Sequence, residues 1–527
     1  MERILVIRLG AIGDVILASA PVLNLKLSFP YAEISLLTRH HIAGLAENMA
    51  GIDNVLPFPL KASPLDLFRM GEYLDSAGYD MVVDLHGNLR SYFLTRYIAA
   101  GVKVRYKKRR LERIQAVKLK KINPAPPHSI DLYNDAVKAA GGKIFLRRPL
   151  LRFQEGPPTD FPFNNSRPTL VVAPGASFPV KKWAEENYMS LICEAFRQFD
   201  CNIILALTGN EKGFDKLSEN IPADRLLIMK NSELIHLAEL IARSDLVVCN
   251  DSAVSHLGSS VGTPVIAIFG PTHPTLGFKP RGLHDVVVEV DEPCRPCSLH
   301  GRKPCYREKQ YCFTRIGVDD VLEVITGRIG IKSKSRKAVF IDRDGTLIKE
   351  KGFLDRPEEV EPEDGSIEAV RLARQAGYKV IVLSNQSGVA RGYFSEQAVR
   401  VVNERILDIF REARAPLDDI LYCPHYPGGD MPAYNRECYC RKPAPGMIEE
   451  AAARHNINPF LSYTIGDKLS DVHLAYTSGA RALLVETGYG RSEAKRLQGQ
   501  FTLKPEKVVQ NLLEGVKYIA ETQNASV

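Results

Sequence analysis

The residues most able to do chemistry stand in Lys337 to Ile348, KAVFIDRDGTLI, where two aspartates follow an apolar run. Ala338 to Ile341 has the short, continuous hydrophobicity of a strand buried in a parallel sheet. Asp342 and Asp344 therefore fall at its carboxyl end, where open α/β sheets bind their ligands. A carboxylate there can attack phosphorus once a divalent cation screens its repulsion from the phosphate, and a second one can protonate the leaving oxygen. The pair points to phosphoryl transfer through a phosphoaspartate, although Asp and Gly are also ordinary turn residues. Downstream spacing favours the chemical reading. The strand-like YKVIVLSN ends in Ser384 and Asn385, which can hydrogen-bond a phosphate; Lys442 follows in CRKPAPG; and SYTIGDKLSD brings Asp467 to the end of another apolar run, with Asp471 four residues further.

Cys423, His425, Cys438 and Cys440 form C-x-H-x₁₂-C-x-C in a loop containing Pro and Gly. Four soft or borderline ligands with no open position predict a structural zinc ion, and Arg441 and Lys442 follow the last ligand so closely that the metal would fix where they project. Cys294, Cys297, Cys305 and Cys312 are spaced more loosely. They read as metal-free reduced thiols, with a metal or cluster as the alternative.

The first 330 residues hold a second set. RLGAIGD places Asp14 at a helix start just beyond a strand, suited to a general base, though helix N-termini also favour Asp for electrostatic reasons. APGASFPVKKW sets Lys181 and Lys182 after a strand and a Gly-containing turn, suited to a diphosphate, and LALTGNEK sets Glu211 after another strand. NDSAVSHLGSSVGTPVIAIFGPT puts Asp251, Ser252 and His256 at a strand-to-helix junction, where exposed N–H groups favour phosphate. Singly, Ser252 reads equally as a helix cap and His256 as a core residue; together at strand ends they suggest a nucleotide-sugar site. Lys103 to Lys121 carries ten basic residues and one acidic. It reads either as a solvated helix face or as a contact surface for an anionic acceptor or lipid headgroup, which Arg90 and Arg96 would extend.

Parallel sheets are needed to position these groups. RILVIRL, AEISLLT, DMVVDLH, TLVVAPG, NIILALTG, DLVVCN and TPVIAIFG alternate with helical patterns, as in doubly wound α/β domains. The polar, Pro-rich stretch from Gln154 to Pro168 separates two such groups, and Ile331 to Lys337 precedes a third. The expected domains are 1–160 and 161–330, both Rossmann-like, a linker at 331–337, and an α/β domain over 338–527. The 527 residues are 45% hydrophobic and 25% charged, and the net charge of +7 is too mild to predict nucleic-acid binding. No apolar run reaches the roughly 18 residues of a membrane span, and Arg8 interrupts the first apolar run too early for a secretory signal. A cytoplasmic protein is expected, with peripheral contact at the inner face of the cytoplasmic membrane if the basic segment is a contact surface. Its ten cysteines then read as thiols or metal ligands before disulfides.

FIDRDGTL, LSNQSGVARGYF, LYCPHYP, CYCRKPAPGM and IGDKLSD resemble, in register, the D-glycero-D-manno-heptose 1,7-bisphosphate 7-phosphatases of the haloacid-dehalogenase superfamily. The resemblance implies Asp342 as nucleophile, Asp344 as acid/base, and Mg2+ held by Asp342, the Asp344 carbonyl and Asp467. It also implies substrate contacts from Ser384, Asn385, Gln386, Ser387, Arg441 and Lys442, with the loop Glu350, Lys351, Gly352 and Phe353 closing over the sugar. RLGAIGD, PGASFPVKKW, TGNEK and NDSAVSH resemble the ADP-heptose–lipopolysaccharide heptosyltransferases, of GT-B fold. That resemblance implies a cleft between two Rossmann-like domains, with Asp14 deprotonating an acceptor hydroxyl and Lys181 stabilising the departing diphosphate. Asp251 and Ser252 would hold the diphosphate and sugar, and Glu211 would lie near the nucleotide or heptose. The implied partners are ADP-heptose, a lipopolysaccharide inner-core acceptor and heptose 1,7-bisphosphate. The rival reading is a histidinol-phosphate-type phosphatase, whose metal loop is usually shorter, fused to a non-catalytic glycolipid-binding GT-B module.

Overall fold

The structure, a computed structural model, describes residues 2–120, 125–153, 161–163, 166–497 and 503–525. The chain divides into two compact units, Met1–Lys334 and Ser335–Val527. Most of the stretch expected to separate the two Rossmann-like domains, 154–160 and 164–165, lies outside the described residues, as does Lys121 at the end of the basic segment.

The first unit contains two parallel sheets. One is built from β1 (Arg3–Ile7), β2 (Glu33–Arg39), β3 (Asn54–Phe58), β4 (Met81–Asp84) and β5 (Val102–Arg105), in the order β3-β2-β1-β4-β5. The other is built from β6 (Thr169–Ala173), β7 (Asn202–Leu207), β8 (Leu226–Lys230), β9 (Leu246–Asn250), β10 (Val265–Ile268) and β11 (Val286–Val288), in the order β11-β10-β9-β6-β7-β8. Both orders reverse direction beside the first strand, which opens a crevice at the strand carboxyl ends. The strands legible as apolar runs are the inner ones, β1, β2, β4, β6, β7, β9 and β10. β3, β5, β8 and β11 are the edges, and β5 shows why they are harder to read: its residues alternate between half-buried and exposed, with Lys103 and Arg105 in water.

The second unit holds one six-stranded parallel sheet: β12 (Ala338–Asp342), β13 (Lys379–Asn385), β14 (Asp419–Cys423), β15 (Tyr463–Gly466), β16 (Arg481–Val485) and β17 (Lys507–Val509), ordered β14-β13-β12-β15-β16-β17. β12 is central and buried along its whole length, and pairs Asp342 with Leu383 and Ile341 with Ile465. Asp342, Ser384 and Asp467 therefore emerge at nearly one level. One face of the sheet is covered by Val370, Val402, Ile406, Phe410 and Ile519, the other by Met447, Ile448, Ala451 and Leu474. Among the described residues, no helix is long and apolar enough to cross a membrane.

Part of the expected linker is anchored. Lys332 is buried in the first unit, its ammonium donating to the carbonyls of Ala242 and Ser244 and, at 2.8 Å, to Thr263 Oγ1. Arg336 N donates to Asn456 O at 2.8 Å within the second unit. Pieces 1–334 and 335–527 made separately should each unfold in one cooperative transition. Ending the first piece at 331 instead strips three acceptors of their donor, a loss of about 1–3 kcal/mol, so its calorimetric midpoint should fall by several degrees.

Candidate active sites

In the second unit Asp342 closes β12, and Lys442 reaches it from the loop before helix Gly446–His455. Lys442 Nζ lies 2.6 Å from Asp342 Oδ1, 2.6 Å from Asp471 Oδ1 and 3.0 Å from the Leu383 carbonyl. Its main chain is held on both sides by one side chain: Asn385 Oδ1 accepts from Lys442 N at 3.0 Å, and Asn385 Nδ2 donates to Lys442 O at 3.2 Å. Burial would raise the Asp342 carboxyl, but the charges of Lys442 and Lys468 outweigh it and hold the group below its ordinary range. Asp467 and Asp471 go the other way. Burial, then the charge on Asp342, pushes them up to about 8 and about 6.

Oxygens of Asp342, Asp467 and Asp471 lie within 4.8 Å of one another. Asp467 Oδ2 accepts from Tyr489 N at 2.8 Å, whereas Oδ1 is buried without a hydrogen bond among the described residues, the Lys468 ammonium lying 3.5 Å away. Gly345 and Gly488 leave the space around this carboxylate open: a Cβ at either would stand 2.5 or 2.3 Å from Asp467 Oδ2, and both have positive φ. An orphaned carboxylate oxygen, crowded anionic neighbours and an all-oxygen donor set fit a small hard cation such as magnesium.

Asp344 projects from the turn beyond β12. Gln386 Nε2 donates to its Oδ2 at 3.0 Å and Ser384 Oγ approaches at 3.4 Å, while Arg343, itself bonded to Asn403 Oδ1 at 3.0 Å, pairs with Oδ1 at 3.0 Å. Thus Ser384 and Gln386 orient the second carboxylate, Asn385 fixes Lys442, and Ser387 opens the short helix Ser387–Ala390. In the expected substrate loop, Glu350 pairs with Lys468 at 3.4 Å and accepts from Gly352 N, and Lys351 pairs with Glu361 at 3.3 Å. Phe353, half exposed, packs edge-on against Tyr393 with centroids 4.7 Å apart.

The C-x-H-x₁₂-C-x-C residues converge. Cys423, Cys438 and Cys440 have their sulfurs 3.3–3.4 Å apart, and His425 Nδ1 lies 3.4 Å from Cys440 Sγ and 3.7 Å from Cys423 Sγ. Mutual hydrogen bonding pushes Cys423 far up and leaves the charge on Cys438, pushed down to about 2. Three sulfurs so close cannot all ionise unless a cation sits among them, and S₃N is a zinc donor set. Arg436, on the surface, is 2.7 Å from His425 Nε2 and must turn away when Nδ1 takes a metal, because that nitrogen then carries the proton. Arg441 donates to His425 O at 3.1 Å and stacks on Tyr426 at 5.1 Å. Cys294, Cys297, Cys305 and Cys312 form no disulfide; the first three lie on a loop pinned by Arg295 and Glu292, and Cys312 lies in helix Tyr311–Thr314. Cys297 Sγ reaches Cys294 O at 3.1 Å and Arg307 reaches Cys294 Sγ at 3.8 Å.

In the first unit, Asp14 lies in helix Ile12–Leu17, directly after the turn from β1. Arg8 NH2 is 2.5 Å from its Oδ2 and Tyr133 OH donates to Oδ1 at 3.1 Å. Burial would raise this carboxyl, but Arg8 first and Tyr133 next bring it below its ordinary range. Gly13 lets the helix approach helix Ala253–Ser260, since a Cβ there would stand 2.9 Å from His256 Cδ2. His256 is buried, pushed down to about 4 by that burial, and its Nδ1 has no hydrogen-bond partner among the described residues. Ser252 precedes the helix without capping it, and its buried hydroxyl is likewise unpartnered there. Lys181 pairs with Asp251 at 2.7 Å, Thr272 donates to the same carboxylate at 2.7 Å, and Lys182 pairs with Glu211 at 3.2 Å. Asn250, closing β9, accepts from Trp183 N at 3.0 Å and so ties the lysine loop to the sheet.

Residues 67–306 match the family model for glycosyltransferase family 9 (heptosyltransferase). Residues 337–470 match that for polynucleotide kinase 3 phosphatase, and 439–515 an HAD-hydrolase-like model. The D-glycero-alpha-D-manno-heptose-1,7-bisphosphate 7-phosphatase of Photorhabdus laumondii is 40% identical over 158 residues, 30% of this chain and 86% of the relative. The D-glycero-beta-D-manno-heptose-1,7-bisphosphate 7-phosphatase of Haemophilus ducreyi is 38% identical over 186 residues, 35% of this chain and 98% of the relative. The chain belongs to the heptose-1,7-bisphosphate 7-phosphatases through its second unit, and its first unit carries the match to glycosyltransferase family 9. The solved glycosyl transferase family 9 structure from Veillonella parvula shares the fold of the first unit, at TM-score 0.50 and 18% identity over 62% of this chain and 96% of that one.

Several groups of the phosphatase and transferase sites escaped the sequence reading. Arg8 and Lys468 stand inside the RLGAIGD and IGDKLSD motifs and are basic residues at strand ends, a usable signal. Asn403 and Tyr133 are not recoverable locally, because they come from helices 60 and 119 residues away from their partners. Gly345→Ala should abolish magnesium-dependent phosphate release while leaving the thermal midpoint within a few degrees. The added Cβ would enter the space beside Asp467, and the positive φ costs on the order of 1 kcal/mol. Titration of phosphate release against magnesium, beside a melting curve, checks this. Cys440→Ser should lose the zinc measured per chain and much of the phosphatase rate, without rescue by magnesium, which prefers oxygen ligands.

Proposed function

We propose that the chain is a bifunctional enzyme of lipopolysaccharide core heptose metabolism. Its second unit hydrolyses the 7-phosphate of D-glycero-D-manno-heptose 1,7-bisphosphate, and its first transfers heptose from ADP-heptose to an inner-core lipopolysaccharide acceptor, both in the cytoplasm. The arrangement that carries the phosphatase reading is an ionised Asp342 at the end of a central strand, bonded at one oxygen to Lys442 2.6 Å away, with Asp344 held beside it by Arg343 and Gln386.

The free oxygen of Asp342 attacks phosphorus, and Asp344 gives its proton to the departing sugar oxygen. Asp344 then takes a proton from the water that cleaves the phosphoaspartate. Lys442 offsets the charge gathered on Asp342 and on the incoming phosphoryl group. Magnesium bound by Asp342, Asp467 and the Asp344 carbonyl would neutralise phosphoryl oxygens. Ser387, Arg441 and the aromatic pair Phe353 and Tyr393 hold the sugar and its second phosphate. Zinc in the Cys423, His425, Cys438 and Cys440 loop is structural and sets the position of Arg441 and Lys442. In the transferase, Asp14 removes the acceptor hydroxyl proton, the N-terminus beyond Ser252 and Lys181 receive the diphosphate, and Glu211 lies toward the nucleotide or heptose. The weaker reading, a histidinol-phosphate phosphatase on an inert glycolipid-binding module, is not favoured beside relatives named as heptose-1,7-bisphosphate 7-phosphatases.

Asp342→Asn should take phosphate release to background and leave heptose transfer unchanged. Phosphate release from heptose bisphosphate should exceed that from histidinol phosphate by orders of magnitude; equal rates would overturn the substrate assignment. Asp14→Asn should lower transfer kcat by about 10²–10⁴ with little change in donor affinity. The pH profile gives an independent check. Transfer needs ionised Asp14, whose pKa is lowered, so its acid limb should lie below the ordinary carboxylate range. Arg8→Gln removes the charge that opposes burial and should move that limb upward.

A further inference from the structure

Helices Pro64–Ser76 and Leu89–Tyr97 pack side by side, and Tyr97 is their seam. Its ring centroid lies 5.5 Å from that of Phe68 and 5.7 Å from that of Phe93, and Gly71 brings the first helix close enough that a Cβ would stand 3.1 Å from the Tyr97 ring. Around this seam large apolar groups face water: Leu89 is 87% exposed, Leu65 54%, Tyr92 48%, Phe68 43% and Phe93 38%. Helical spacing puts Leu89, Tyr92, Phe93 and Arg96 on one face. Arg105, from β5, lies 5.2 Å from the Tyr92 ring. Arg90, Arg96, Lys103 and Lys107 have no carboxylate partner among the described residues. The next helix, Arg110–Leu119, repeats the combination, with Leu111 76% and Leu119 61% exposed among basic neighbours. Asp66, Glu72, Asp75 and Glu112 are the four acids on these three helices, too few to neutralise the surface.

An apolar area of this kind has a partner. A protein partner would call for a groove, whereas here the apolar groups are separate tips on successive helices, ringed by unpaired cations. Tips of that sort enter the headgroup layer of a membrane while arginine and lysine pair with lipid phosphates. We infer that the face formed by Leu65, Phe68, Leu89, Tyr92 and Phe93, with Arg90, Arg96 and Lys103 at its rim, docks on an anionic phospholipid bilayer. This rests on the transferase reading in that a lipid-anchored acceptor would lie in the same surface.

The test uses the full chain and vesicles of phosphatidylcholine, alone or mixed with phosphatidylglycerol. The mixed vesicles should retain the protein, pure phosphatidylcholine far less, and salt should weaken retention without abolishing it. Leu89→Glu with Phe93→Glu should lower retention at least tenfold, with heptose transfer to a soluble, delipidated acceptor and phosphate release both at wild-type rates. Leu89→Trp should show blue-shifted emission quenched by brominated lipid, a clear signal because the one native tryptophan, Trp183, is buried. Wild-type protein left in the supernatant with anionic vesicles, equal retention of the glutamate variant, or an unshifted Leu89→Trp spectrum on bound protein would overturn the inference. So would an equal loss of transfer to the soluble acceptor, which would assign the face to acceptor carbohydrate. Absence of transfer by the wild type would overturn the transferase reading, while vesicle retention would still decide this one.

Discussion

Negative charge crowded into a dry site is the constraint on which the second unit is built. Asp342 and Asp467, at the ends of two adjacent strands, meet Asp471 from the helix that follows, and burial first and the charge on Asp342 second raise Asp467 and Asp471. A single ammonium, Lys442, touches two of the three. Burying an ion pair contributes little net stability, because desolvation offsets most of the attraction. Such a group is useful where its position is fixed by something else, and here that is the loop between Cys438 and Gly446, held by the cysteine cluster on one side and by Asn385 on the other. The first unit solves a smaller version of the same problem, with buried Arg8 offsetting the burial of Asp14.

The inner strands of all three sheets were open to reading because burial on both faces demands continuous Val, Ile and Leu, and burial of that kind leaves an unmistakable trace. Edge strands answer to weaker demands. β3 carries Pro57, β5 alternates with lysine and arginine, and β11 is three half-buried valines, so none of them stands out from its flanking loops. The carboxylates and the clustered cysteines were legible for a different reason: strand ends and short residue spacings are local. What reaches across the fold is not local, as with Tyr133 on Asp14, Asn403 on Arg343 and Thr272 on Asp251.

The two cysteine sets illustrate how far spacing alone goes. Cys423 to Cys440 converge because β14 delivers the first ligand and a short loop returns the last two to it. Cys294, Cys297 and Cys305 lie on a longer loop whose fixed points are Arg295 and Glu292, so the thiols follow the loop instead of organising it. Ser384 and Asn385 carry a related lesson. Polar residues at a strand end were read as phosphate contacts, and their side chains also reach Asp344 and the backbone of Lys442, which spacing in the sequence does not reveal.

Gly13 has a geometric role beyond filling a turn. Where it meets the His256 ring, helix Ile12–Leu17 offers no side chain of its own, and the two helices come together closely. The contact sets how near helix Ile12–Leu17 comes to helix Ala253–Ser260, and Asp14 is the next residue along. A methyl group at this point would act as a wedge. A Cβ 2.9 Å from His256 Cδ2 would force the two helices apart, and the displacement would fall first on the neighbouring Asp14.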